Sequence, residues 1–99
     1  MINPFEVIKS TEQAYHLVPG SLIGHRRTKT VTEARAIAMW FTRQVTPYSW
    51  NEIGDHFDKD HTTIIHNCRK IDRLLKNHGK TYAECVIMKL YDQFKEQIA

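Results

Sequence analysis

Only two cysteines, three prolines and four glycines occur in these 99 residues. No apolar run approaches the roughly 20 residues a membrane span needs. The opening Met-Ile-Asn-Pro-Phe-Glu has no basic flank leading into an apolar stretch, so no signal peptide is expected. Two cysteines cannot make a disulfide framework, and both Cys68 and Cys85 fall inside apolar helical patterns, so they are read as reduced core residues of a cytoplasmic protein. No stretch alternates apolar and polar residues long enough to make a strand. Repeats and low-complexity tracts are missing too, which leaves one domain over residues 1–99.

The chemistry of an enzyme is also scarce. A G-x-x-x-x-G-K-[ST] loop is absent, so no nucleotide is expected. His56, His61 and His66 with Cys68 are the one cluster of metal-ligating types worth weighing. On a helix His61 and His66 point about 140° apart, and His56 belongs to a different helix. Neither catalysis nor a metal or other cofactor is expected.

What is present is helical. Asn3-Pro4 with Glu6 opens a helix through Phe5–Leu17, stopped by Val18-Pro19-Gly20. Thr30 with Glu33 makes a capping box ahead of Val31, Ala34, Ile37, Ala38, Phe41 and Val45, and Thr46-Pro47 ends that helix. A second box, Ser49 with Glu52, opens a short helix through Phe57. Asp60 caps a longer one to Asn77, with the stripe Ile64, Ile65, Cys68, Ile71, Leu74 and Leu75, before His78-Gly79. Thr81 with Glu84 opens the last, striped by Ala83, Val86, Ile87, Leu90, Tyr91, Phe94 and Ile98. The predicted class is all-α.

A short helix, a tight turn and a longer helix over about residues 49–77 have the proportions of a helix-turn-helix, whose second helix enters the major groove. That helix would begin Asp60-His61-Thr62-Thr63, short polar side chains suited to base edges, followed by His66, Asn67, Arg69, Lys70 and Arg73. Charge agrees. From His25 to Lys80 there are eleven Lys or Arg against six Asp or Glu, while the flanks hold three against five. A basic centre between acidic ends suits a polyanion. The rival reading is a protein-interaction or transcription-regulating module that recognises no particular DNA site, with the last helix or Trp40 as anchor. The core needs that helix as cover, and Trp40 is read as core.

Glu52-Ile53-Gly54-Asp55, Phe57 and the run Asp60-His61-Thr62-Thr63-Ile64-Ile65-His66-Asn67-Cys68-Arg69-Lys70-Ile71 resemble the C-terminal DNA-binding domain (domain IV) of the bacterial replication initiators of the DnaA family. Arg26-Arg27-Thr28-Lys29-Thr30-Val31 and the helix carrying Ala38-Met39 fit the same domain. The resemblance implies a Trp-repressor-like helix-turn-helix that binds double-stranded DNA at an asymmetric box similar to TTATNCACA. It further implies action in replication initiation or its regulation, at the nucleoid, among replication proteins. By position, Asp60, His61, Thr62 and Thr63 match residues that read bases in the major groove, and Arg27 matches an arginine entering the adjacent minor groove. Arg26, Lys29, Arg35, Arg43, His66, Asn67 and Lys70 match positions meeting the backbone or groove edge. Three departures stand out. Asp58-Lys59 is a turn one residue shorter than common in the family, Glu33 and Ala34 stand where the family often has a basic residue and a proline, and Ala36 replaces a polar residue that could contact DNA. Without a phosphate loop the chain is either an excised domain or a free-standing box-binding protein; the capped start at Asn3-Pro4 favours the second.

Overall fold

The computed structural model describes residues 2–24, 27–76 and 81–98. Arg26 and the His78-Gly79 stop lie outside these residues. Among the described residues there are five helices and no strand: α1 (Pro4–Ala14), α2 (Lys29–Val45), α3 (Trp50–Phe57), α4 (His61–Lys76) and α5 (Tyr82–Ile98). None is long and apolar enough to cross a membrane.

α1 starts as its cap requires, with the Asn3 side chain accepting from the Phe5 amide at 2.9 Å. It stops at Ala14, not at Leu17. His16 takes a left-handed conformation (φ 56°) and the Leu17 amide turns back to the Glu12 carbonyl at 2.8 Å, satisfying carbonyls that the helix end would leave unpaired.

α2 begins two residues earlier than its capping box suggested. The Thr28 hydroxyl, not that of Thr30, receives the Val31 amide at 3.3 Å. Capping there extends the helix by two residues, its start closed by the Thr32 amide on the Thr28 carbonyl at 2.9 Å. Glu33 therefore caps nothing. It reaches across to α1, where it accepts the Tyr15 hydroxyl at 2.7 Å.

Every residue from Ala34 to Thr42 is buried, and α2 packs against all four other helices. A helix apolar around most of its circumference has to occupy the middle. Trp40 is buried as expected and donates from Nε1 to Asp72 of α4 at 2.9 Å. Ala36 is fully buried, its side chain packed in the core.

α5 closes the bundle with Ala83, Val86, Ile87, Leu90 and Phe94 buried. Tyr91 is half-exposed, its ring edge-on to Phe41 at 5.1 Å between centroids. Cys68 is a core thiol, whereas Cys85 is exposed, contrary to the sequence reading. At about 100° per residue, Cys85 falls on the opposite side of α5 from the stripe of Ala83, Val86, Ile87, Leu90 and Phe94.

Candidate nucleic-acid interface

The helix-turn-helix is built from α3 and α4. Its first helix carries the complete capping box: the Ser49 hydroxyl accepts the Glu52 amide at 3.2 Å and the Glu52 carboxylate accepts the Ser49 amide at 3.0 Å. That amide, together with the Ser49 hydroxyl, holds the Glu52 carboxyl below the usual carboxylate range. Ile53 and Phe57 from α3 meet Ile64, Cys68 and Ile71 from α4 in the core. Each fully buried aliphatic or aromatic side chain of this kind is worth about 1.5–3 kcal/mol, so the angle between the two helices is set by packing.

Two residues suffice for the turn because Asp58 adopts a left-handed conformation (φ 55°, ψ 46°). The Lys59 amide then returns to the Gly54 carbonyl at 2.9 Å. Gly54 makes this closure possible. A Cβ there would lie 2.5 Å from the Lys59 carbonyl oxygen, a backbone atom with no rotamer by which to withdraw. Gly54 stood in the motif but drew no structural role from the sequence; an isolated glycine inside a helical pattern was the available signal.

The first turn of α4 is exposed at Asp60, His61, Thr62 and Thr63, and the first three side chains are joined to one another. One Asp60 oxygen lies 3.0 Å from His61 Nδ1, and the other accepts the Thr62 hydroxyl at 2.5 Å. The Thr62 bond, then the His61 ring, hold the Asp60 carboxyl below its ordinary range. The Thr62 proton is thus committed to Asp60 while its side chain stays exposed. The Asp60 carbonyl receives the amides of Thr63 and Ile64, as a helix-opening residue should. Further along the same helix His66, Arg69 and Lys70 are exposed, while Asn67 donates to the Thr63 carbonyl at 3.0 Å.

Other cationic positions part company. Arg27 and Lys29 are exposed beside the start of α2. Arg35 is buried: Nε donates to the Leu22 carbonyl at 2.7 Å and one terminal nitrogen to the Gly24 carbonyl at 3.0 Å. Burial, and then the positive charge of Arg27, push its guanidinium below the ordinary value. The sequence had grouped Arg35 with surface contacts; in the structure its side chain serves the loop between α1 and α2. Arg43 is half-buried, donating to the Tyr48 carbonyl at 3.0 Å with its guanidinium 4.3 Å above the Trp50 ring.

A cleft of about 330 Å³ joins these parts, lined by Arg27, Thr32, Arg35, Lys59, Thr63 and Asn67. It sets the loop arginine beside the first turn of α4. Thr32 and Lys59 are additions that the sequence reading lacked.

A capped short helix, a two-residue turn, a longer helix with an exposed polar first turn and a basic loop at its flank define a helix-turn-helix DNA-binding domain. Residues 4–71 match the family described as bacterial dnaA protein helix-turn-helix, and the chain belongs to that family. It is 36% identical over 83 residues to the chromosomal replication initiator protein DnaA of Tropheryma whipplei (strain Twist), covering 84% of this chain and 17% of that relative. To the protein of the same name in Rhizobium johnstonii it is 37% identical over 76 residues, covering 76% of this chain and 16% of the relative. The chain thus spans about a sixth of the length of these relatives.

Proposed function

We propose that this chain is a sequence-specific reader of duplex DNA that engages two adjacent grooves of a site resembling the DnaA box, and that it acts in replication initiation or its regulation. The observation that carries this reading is the cleft shared by Arg27, Lys59, Thr63 and Asn67, which sets a basic loop next to an exposed helix start. The first turn of α4 enters the major groove, where the Asp60 carboxylate accepts from a cytosine amino group and the Thr methyls meet thymine. Arg27 enters the minor groove, whose A·T-rich stretches are narrow and attract arginine. Lys29, His66, Lys70 and, beyond the described residues, Arg26 meet phosphates, which fix register without reading sequence. Arg35 and Arg43 act from behind the surface by holding the segments that carry these contacts.

Thr62 and Lys70 separate reading from positioning. They lie eight residues apart on α4, about 12 Å along the axis. Thr62→Ala should cost roughly 1–3 kcal/mol on the box and much less on random duplex. Lys70→Ala should weaken both by similar factors and reduce the salt slope by about one. Anisotropy titrations of both variants against both duplexes, with circular dichroism as the folding control, make the test. A folded Thr62→Ala protein that loses box and random binding equally contradicts a base-reading α4.

A further inference from the structure

Glu12 is a charged residue in a costly place. Its side chain is buried, and it lies in the last turn of α1, where the helix dipole disfavours negative charge. Two backbone donors offset this. A single carboxylate oxygen, Oε2, accepts the Gly20 amide at 2.9 Å and the Leu22 amide at 3.2 Å. Gly20 has a φ of 90°, a conformation that L side chains rarely adopt, so this amide is aimed by a turn that needs glycine.

Leu22 is consequently fixed at three points. Its amide is held by Glu12, its carbonyl by Arg35 Nε at 2.7 Å, and its side chain is fully buried. The Arg35 guanidinium also binds the Gly24 carbonyl and lines the cleft with Arg27. Both sides of the chain entering the basic loop are therefore clamped, one from α1 and one from α2.

We propose that Glu12 is a positioning residue for minor-groove recognition: by fixing Leu22 against Arg35 it sets where Arg27 emerges, although Glu12 itself touches no DNA. The inference rests on the two-groove reading above. Since one oxygen accepts both amides, a glutamine carbonyl can replace it, whereas alanine leaves two loop amides without their acceptor.

The test compares a duplex containing TTATCCACA with a twin whose adenines in the TTAT half are 2,6-diaminopurine. The replacement adds an amino group in the minor groove and leaves the major-groove edge of each pair as it was. For the wild-type chain the diaminopurine duplex should bind roughly tenfold more weakly, about the cost of one mismatched pair. Glu12→Ala should bind the two duplexes alike, yet still discriminate against base swaps in the CACA half, whose cytosines suit the Asp60 carboxylate of the proposed major-groove contact. Glu12→Gln should restore the tenfold penalty. Should Glu12→Ala lose helix content, Glu12→Asp, equally charged but a methylene shorter, is the variant to read, with the same expected loss. A folded Glu12→Ala or Glu12→Asp protein that keeps the full penalty overturns the proposal, as does a Glu12→Gln protein as impaired as the alanine variant. If the wild-type chain prefers the box but ignores diaminopurine, the minor-groove half of the site reading fails, and the inference fails with it.

Discussion

At the scale of single residues, the two thiols differ most clearly. Cys68 lies between α4 and the rest of the core, and burial, aided by the nearby Asp72 charge, pushes its thiol up to about 12. Arg43 opposes this shift only partly. Since the thiolate is the reactive form, Ellman's reagent should label Cys85 rapidly and Cys68 only as fast as the core opens. Equal fast labelling of both would contradict the packing of α4. The shift also has a thermodynamic consequence. The folded chain retains the Cys68 proton to about 12, while an unfolded thiol releases it near the ordinary 9.0. Between those values the native state binds more protons, so this contribution to stability is whole below about pH 9 and is lost as pH rises toward 12. Urea unfolding at pH 8 and pH 10.5 should show a shallower decline for Cys68→Ala than for wild type.

At the scale of elements, the turn between α3 and α4 is the critical joint. Gly54→Ala sets a methyl 2.5 Å from the Lys59 carbonyl, and neither backbone can yield without moving the start of α4. A loss of about 1–3 kcal/mol is expected, the usual range for forced overpacking. Box binding should fall by more than random-duplex binding, because displacement of α4 affects base reading before it affects phosphate attraction. Urea denaturation followed by binding to both duplexes checks this. A fully stable Gly54→Ala protein would show that the turn has slack.

These elements also mark how far sequence alone reaches. The Ser49 and Thr81 caps, the Thr46-Pro47 stop and the stripes of α4 and α5, apart from the exposed Tyr91, were legible, because each depends on contacts within a few residues. Thr28 against Thr30 was not, since two competent caps stand two residues apart and the choice involves Glu33, which reaches α1 through Tyr15. Arg35 likewise read as a surface cation; only the fold brings the Leu22 and Gly24 carbonyls within its reach. Glu12 was invisible for the same reason, its partners lying eight and ten residues away in an irregular loop.

At the scale of the whole molecule, α2 forms the buried axis of a domain only 32 × 29 × 26 Å across. α5 is tied to α1 by a Gln93–Ser10 hydrogen bond at 2.9 Å and by the Tyr82 hydroxyl donating to the Ala14 carbonyl. This arrangement leaves α4 and the start of α2 to present the basic central segment, where the sequence carries its excess of positive charge. On the proposed reading, binding has two separable parts: counterion release at phosphates, shared by all duplexes, and base reading, confined to the preferred site. Titrating the wild-type chain against the box and a base-shuffled duplex over a range of salt measures both parts at once. With about 4–6 phosphates neutralised, log affinity should fall with log salt at a slope of roughly −4 to −5 on either DNA. The two lines should run parallel, with the box roughly a thousandfold tighter. Coincident lines, or a slope near zero on the box, would contradict a two-groove reader of duplex DNA.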